Sequence, residues 1–245
     1  FLLTDPNYNP LSSAHLPFAS FVFIFTIIIR FLMVLLLSIG ISSYNRLKLA
    51  EEEKLKSELS YLKAQINPHF LFNTLNSIYA LTVKKSDAAP ESVTKLSSIM
   101  RYVISEATSD FVSLDKEMNY VSAYVELEKL RLTSKVTLTY EVSGEIIGKQ
   151  IAPLIFIPFI ENAFKYGVST SENSVISISV QLQNNDLTLN VKNSKINTKP
   201  LAKTSTRLGI ETTQKRLNLI YPAKHSLIIK ETDTEFEVNL KINLA

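Results

Sequence analysis

The sequence predicts an α+β chain: a transmembrane helix and coiled-coil linker, then a helical-hairpin region, then an α/β sandwich. Three observations predict it. Residues Phe18–Ser43 are almost wholly apolar. From Tyr44 to Leu132 apolar residues recur at helical spacing. Beyond Val136 the pattern changes to short alternating runs separated by two helical stretches, which together bury one sheet face under helices.

Composition narrows the classes. The chain has 245 residues, enough for one or two globular domains, and it begins with Phe1, so it reads as the C-terminal part of something longer. A net charge of +3 is too mild to argue for nucleic acid, and no direct nucleic-acid contact is expected. With no cysteine there is no disulfide and no Cys-based metal site, which fits a reducing cytoplasm. Three histidines are too few for a histidine-rich metal site.

Taken in order, residues 1–17 are polar, carry Pro6, Pro10 and Pro17, and read as an extracytoplasmic tail. Residues 18–43 form the transmembrane helix: roughly 24 residues at about 1.5 Å each span a hydrocarbon core of about 30 Å. The run is too long for a signal peptide and no basic segment precedes it. A buried core helix is the alternative. Arg30, in mid-span, costs a few kcal/mol there and must face a partner helix or a water-filled cavity, or snorkel. Arg46, Lys48, Lys54 and Lys56 follow the span, so the positive-inside rule puts the remainder in the cytoplasm.

Residues 44–66 continue as a charged helix. Leu55, Leu59, Leu62 and Ile66 are spaced as an a/d seam, so either a coiled-coil linker or a solvated amphipathic helix fits. Residues 67–133 follow as a helical region. Its first helix starts after Pro68 in LKAQINPHFLFNTLNSI, Leu62–Ile78. His69 and Asn73 are i and i+4, so the amide can orient the imidazole, while Leu71, Phe72, Leu75 and Ile78 bury the neighbouring face. An exposed, oriented imidazole is a candidate nucleophile; a helix-start histidine in a bundle is the plain alternative. A polar break at Lys84–Pro90 leads to a second helix, from about Glu91 to Thr108. Two such hairpins from two chains make a four-helix bundle and hence a homodimer. A third helix, capped by Ser113 and with Glu117 in its first turns, continues to about Leu132.

In residues 134–245, strands are expected at Val136–Val142, Val175–Leu182, Leu187–Val191, Leu227–Lys230 and Glu235–Ile242, paired antiparallel, with Asn184–Asp186 as a hairpin turn. One helix starts near Pro158. Lys192–Thr206 reads as a polar flexible stretch, and a second helix runs from about Leu208 to Ile220. On the first helix, ENAFKYG (Glu161–Gly167) sets Asn162 and Tyr166 on one face with Lys165 beside them. An amide oxygen can ligate Mg²⁺, a lysine can neutralise phosphate, and an aromatic ring can stack on adenine. A polar exposed helix face reads the same.

Three segments carry a family resemblance. INPHFLFNTLN resembles the phosphoacceptor segment of the LytS-type sensor histidine kinases of bacterial two-component systems. YVELEKLRL resembles the segment that links it to the ATPase domain. ENAFKYG resembles the N box of the GHKL or Bergerat-type ATPase domain that histidine kinases share with gyrase, the Hsp90 chaperone and MutL proteins. The resemblance implies an ATP-dependent protein-histidine kinase of the membrane. His69 would take the γ-phosphoryl of ATP and pass it to an aspartate of a response regulator, the LytTR type being one candidate class. Carried over, Asn162 is the Mg²⁺ ligand and Lys165 a phosphate contact, with Glu161 a candidate base beside His69; Tyr166, a candidate nucleotide contact, stands where the LytS type usually has His and other histidine kinases have Tyr.

Two later segments depart from the family pattern. In VKNS, Asn193 stands where the family has the adenine-reading Asp. In RLGIET, Gly209 keeps one phosphate-loop glycine while Arg207 replaces another, and Arg207 can supply a charge contact instead. Lys215 and Arg216, in QKRLNLIYP, are expected to line the phosphate side. A non-catalytic relay with a decayed nucleotide site is the competing reading. A membrane-anchored ATPase without histidine chemistry would leave the His69 run unexplained.

Overall fold

The computed structural model describes the backbone of residues 10–65, 68–107, 109–196 and 203–245, and the side chains of 21–49, 51, 68–107, 109–196 and 209–245. Internal contacts divide the chain into two units, Phe1–Ala64 and Gln65–Ala245.

The first unit is carried by α1, Pro10–Gln65, a helix of 56 residues. It begins where a tail was expected and runs through Pro17. Pro10 fits the start because a first-turn N–H has no partner to lose, and an interior proline removes one helical hydrogen bond while the turns on both sides persist. Within α1, Phe21–Leu49 has a mean hydropathy of 2.8 and is long and apolar enough to cross a membrane. Its large apolar side chains, Phe23 and Leu36 among them, are exposed and face outward. Thr26 Oγ1 donates to Val22 O at 2.7 Å, so its hydroxyl needs no water. Arg30 is exposed among them. The seam residues Leu55, Leu59, Leu62 and Ile66 lie outside the described side chains.

The second unit opens with three helices, α2 (Pro68–Val83), α3 (Ala88–Ser105) and α4 (Leu114–Lys129). Pro68 occupies the first turn of α2, where its missing N–H costs nothing. The α2–α3 turn is as short as expected, and α3 starts three residues before Glu91, inside the predicted break; Thr108 lies outside the described residues. Ser113 caps α4, its Oγ accepting the Lys116 N–H at 3.3 Å. Two strands without an alternation signal, β1 (Val112–Ser113) and β3 (Gln150–Ile151), pair antiparallel beside α4.

The main sheet holds β2 (Val136–Ser143), β4 (Ser174–Gln183), β5 (Asp186–Ser194), β6 (His225–Glu231) and β7 (Glu235–Asn243), in the order β2-β4-β5-β7-β6. Alternation places Ile176, Ile178, Val180, Leu189, Val191, Val238 and Leu240 on one buried face. That face is covered by α5, Ile157–Gly167, which packs on β4 and β5, and by α6, Lys203–Ile220, which packs on α5 and β6. Each fully buried Phe159 or Ile160 on α5 contributes about 1.5–3 kcal/mol of burial.

Two expectations are corrected. The sheet is mixed, not antiparallel: β2 and β4 pair in parallel, from Val136 opposite Ser174 to Ser143 opposite Gln181. The crossover through α5 returns the chain in the direction it left, which a hairpin cannot do. Lys192–Ser194 belongs to β5, held opposite Glu235–Glu237 on β7, and α6 starts at Lys203 instead of Leu208. Residues 197–202 lie outside the described residues. The β4–β5 turn carries Asn184 at φ 56°, a left-handed position that asparagine tolerates.

Candidate functional site

Four elements of the second unit, α2, α4, α5 and α6, meet around a cavity of about 430 Å³. His69 on α2, Glu161, Asn162 and Lys165 on α5, and Gly209 on α6 all line it. The sequence reading proposed these five as site residues, and the fold brings them together from three elements far apart in the chain. Glu128 on α4 and Arg131 just beyond its end line it as well, and Tyr124 and Phe164 add aromatic wall.

His69 is exposed on the first turn of α2. Asn73, one turn on, brings its Nδ2 to 3.1 Å from both ring nitrogens, the contact expected from i,i+4 spacing. The next residue, Phe70, is buried and stacks on Tyr124, with ring centroids 4.5 Å apart. Tyr124 in turn meets Phe164 of α5 edge-on at 6.2 Å. These contacts fix the turn that carries His69 against α4 and α5 without using the imidazole. Such aromatic pairs contribute about 0.5–1.5 kcal/mol each beyond their area.

The charges of the cavity are balanced. Arg131 Nη1 donates to both carboxylate oxygens of Glu128, at 3.2 and 3.0 Å. Burial raises the Glu128 carboxyl above the ordinary carboxylate range, against the opposing effects of Arg131, the Tyr124 hydroxyl and His69. Burial, then the fields of Glu161 and Glu128, raise the Tyr124 phenol well above its ordinary value, so it stays a donor.

Asn162 is 7% exposed and its amide reaches the cavity wall. Among the described residues no group of three or more His, Cys, Asp or Glu is arranged to hold a metal. A divalent ion here would depend on few protein ligands, which is how Mg²⁺ is held when phosphates supply the rest. Lys165 is exposed, with Nζ 5.2 Å from the Tyr166 ring centroid; Tyr166 is half-buried and outside the cavity.

Asn193, on β5, lies behind α5. It is 1% exposed, Nδ2 donates to Ser194 O at 2.9 Å, and Oδ1 is buried without a partner. A buried acceptor with no donor costs about 1–3 kcal/mol, and a ligand amino group would relieve it. Gly167, which ends the ENAFKYG segment, lets Asn193 pack this close: a Cβ there would stand 2.8 Å from Asn193 Cβ. Asn193 does not itself line the cavity, and its orphan acceptor is the feature that an adenine amino group would suit.

Three expectations fail or fall outside. Arg216 does not face the cavity; its Nη2 donates to Pro153 O at 3.0 Å and holds the loop before α5. That loop also receives Tyr221, whose hydroxyl accepts the Ala152 N–H at 2.8 Å. The carbonyl needs a donor once buried there, and α6 presents Arg216 to it. Lys215 is exposed on α6 away from the cavity. The Arg207 side chain lies outside the described residues.

The sequence reading missed Tyr124, Glu128 and Arg131. Their spacing of i, i+4 and i+7 was readable as one helix face within YVELEKLRL, but nothing local says what that face meets.

Comparison with known proteins places the chain among relatives. The histidine kinase family profile matches residues 57–136. The chain is 30% identical over 189 residues to the sensor histidine kinase BtsS of Escherichia coli (strain K12), covering 76% of this chain and 33% of that protein. It is 29% identical over 198 residues to the sensor protein LytS of Staphylococcus haemolyticus, covering 76% of this chain and 34% of that protein. The chain thus spans about a third of the length of these relatives. Among solved structures, the histidine kinase domain of the blue-light activated histidine kinase from Erythrobacter litoralis EL346 aligns over 76% of this chain and 93% of that one. Its TM-score is 0.42 at 13% identity.

Proposed function

The chain belongs to the LytS-type sensor histidine kinase family, and on that premise we propose that it phosphorylates its own His69 from ATP and passes the phosphoryl group to a response-regulator aspartate. One observation carries the reading: His69 lines a single cavity with Glu161, Asn162 and Lys165 of the N-box helix. Nucleophile and nucleotide-binding residues therefore belong to one chain, which favours transfer in cis.

The residues divide the work. Asn73 holds the ring of His69. A ring nitrogen attacks the γ-phosphorus in line; an N–P bond forms as the bond to the β,γ-bridging oxygen breaks, and that electron pair leaves with ADP. Lys165 neutralises phosphate charge, Asn193 receives the adenine amino group, and Phe70, Tyr124 and Phe164 exclude water from one wall. Asn162 would hold Mg²⁺, which when bound supplies further neutralisation of the phosphates. Little covalent work is asked of the protein, so positioning and charge carry the rate. Because His69 is exposed, the phosphohistidine stays open to a response regulator.

Two features support the setting. The apolar run Phe21–Leu49 suits a membrane anchor, with the second unit in the bacterial cytoplasm. Exposed Phe72, Tyr79 and Ile104 on α2 and α3 suit a bundle with a second copy, giving a homodimer.

The test uses the full chain in detergent with γ-labelled ATP and Mg²⁺. The chain gains an acid-labile, base-stable label, and His69→Gln removes it. Label that survives His69→Gln rejects the assignment.

A further inference from the structure

We infer that Glu117 is a positioning residue for the nucleotide site: from α4 it sets where α5 begins, and through Tyr102 it makes that setting depend on α3. The inference rests on the kinase reading for the reaction affected, and it concerns two residues that do not line the cavity.

By itself α5 does not fix its own start. Its N-cap residue, Phe156, makes no side-chain hydrogen bond, and its first turn holds no acidic residue. What seats it is apolar: Phe159, Ile160 and Ala163 are fully buried, and the helix packs on β4 and β5. Apolar burial is non-directional. It decides which face of α5 turns inward and leaves the position along the axis loosely set. Asn162 and Lys165 ride on the same helix, so a shift at its start reaches both.

Hydrogen bonds from other elements set that position. Three successive residues ahead of α5 each give a backbone polar group to a distant side chain. The Tyr221 hydroxyl accepts the Ala152 N–H at 2.8 Å, Arg216 Nη2 donates to Pro153 O at 3.0 Å, and Glu117 Oε2 accepts the Leu154 N–H at 3.0 Å. Arg216 lies on α6 and Tyr221 just beyond it, so of the three only Glu117 comes from the helical region. Leu154 is also the residue at φ 58°, a conformation that a leucine keeps only under restraint.

Glu117 ties that loop to α3. The oxygen that accepts the Leu154 N–H also accepts the Tyr102 hydroxyl, and the Tyr102 ring stacks on Tyr120 of α4 with centroids 4.7 Å apart. Burial raises the Tyr102 phenol and the Glu117 carboxyl above their ordinary values, so the phenol stays the donor. Oε1 is buried without a partner, so the link runs through one atom. Two donors from different elements meet there, and movement of one displaces the other. Because α3 packs on α2, which carries His69, the same atom joins the histidine's hairpin to the start of α5.

The experiment uses the full chain in detergent and three variants. Glu117→Met keeps an unbranched side chain and removes the acceptor. Glu117→Gln keeps one carbonyl oxygen, enough for both bonds. Tyr102→Phe removes a hydroxyl and nothing else. Amide hydrogen exchange of residues 152–165, read by mass spectrometry, rises about fivefold or more in Glu117→Met and Tyr102→Phe, while β5 and β7 exchange as in wild type. Autophosphorylation of the folded chain at saturating ATP slows about a hundredfold in Glu117→Met and about tenfold in Tyr102→Phe. Glu117→Gln recovers most of both readouts. The Tyr102→Phe effect disappears in the Glu117→Met background, since both act through one oxygen. A merely structural residue would raise exchange across the whole second unit and leave the rate of the folded chain unchanged. That pattern, unchanged exchange over 152–165, additive effects, or no recovery in Glu117→Gln overturns the inference. Absence of label on the wild-type chain rejects the kinase reading instead, and the exchange data still judge Glu117, so the two failures are distinct. If Glu117→Met fails to fold, Tyr102→Phe decides: wild-type exchange and rate overturn the positioning role.

Discussion

The Glu117 carboxyl on α4 accepts the backbone N–H of Leu154 at 3.0 Å, and this bond holds the loop that starts α5. The same carboxylate oxygen accepts the Tyr102 hydroxyl from α3. Leu154 sits at φ 58°, a left-handed conformation that a leucine adopts only when its surroundings compel it. Glu117 is wholly buried, so three parts of the second unit meet at one carboxyl group.

Removing that carboxyl is expected to loosen the junction. Glu117→Ala leaves the Tyr102 hydroxyl and the Leu154 N–H buried without an acceptor, at about 1–3 kcal/mol for each. Denaturation of the detergent-solubilised chain reads the loss. Stability within about 0.5 kcal/mol of wild type would reject the role, that being the range of an ordinary surface change.

Glu117 also predicts a pH dependence. Burial raises its carboxyl above the ordinary 4.5, against bonds from Tyr102 and from the Leu154, Ile155 and Phe156 backbone. In the folded state the proton is therefore bound more tightly than in the unfolded chain. The stability this contributes is complete below about pH 4.5 and is lost as pH rises through the folded value. Wild type minus Glu117→Gln, measured by denaturation across that window, should fall with rising pH. A flat difference would contradict the burial.

Gly167 and Gly209 should answer differently to alanine. At Gly167 the new Cβ would stand 2.8 Å from Asn193 Cβ and 3.1 Å from Ile176 Cγ1. Overpacking of this kind costs about 1–3 kcal/mol, and here it displaces Asn193, so nucleotide affinity falls too. At Gly209 no atom lies within 4 Å of the added Cβ, and the fold should not notice. Equal effects at the two sites would contradict this account.

Asn193 should select the base. Its buried, partnerless Oδ1 is suited to an adenine amino group. Asn193→Leu is expected to lower ATP affinity by about tenfold, the worth of one hydrogen bond, and to erase any preference for ATP over GTP. Competition binding with both nucleotides measures it; a preserved preference assigns base selection elsewhere.

Asn162→Ala should remove Mg²⁺-dependent nucleotide affinity. Mixed dimers of Asn162→Ala and His69→Gln chains should stay unlabelled if transfer runs within one chain. Label in the mixture would show transfer across the dimer.

The sequence determined the local features by itself. The helices α2 to α4 follow from apolar spacing, the Ser113 cap from its hydroxyl, and the β4–β5 hairpin from alternation around Asn184 and Asn185. The contact of Asn73 with His69 also needed nothing beyond one turn of helix. Each is an interaction within a few residues, written in spacing.

Only the tertiary structure decided the rest. Parallel pairing of β2 with β4 depends on which edge the returning chain meets. The diversion of Arg216 to Pro153 O depends on a buried carbonyl whose need is invisible along the chain. Likewise, Glu128 reads as an ordinary charge on a polar helix until α2 and α5 close over it. Burial changes what a carboxylate or an amide costs and whom it faces, and burial is set by packing among elements far apart in sequence.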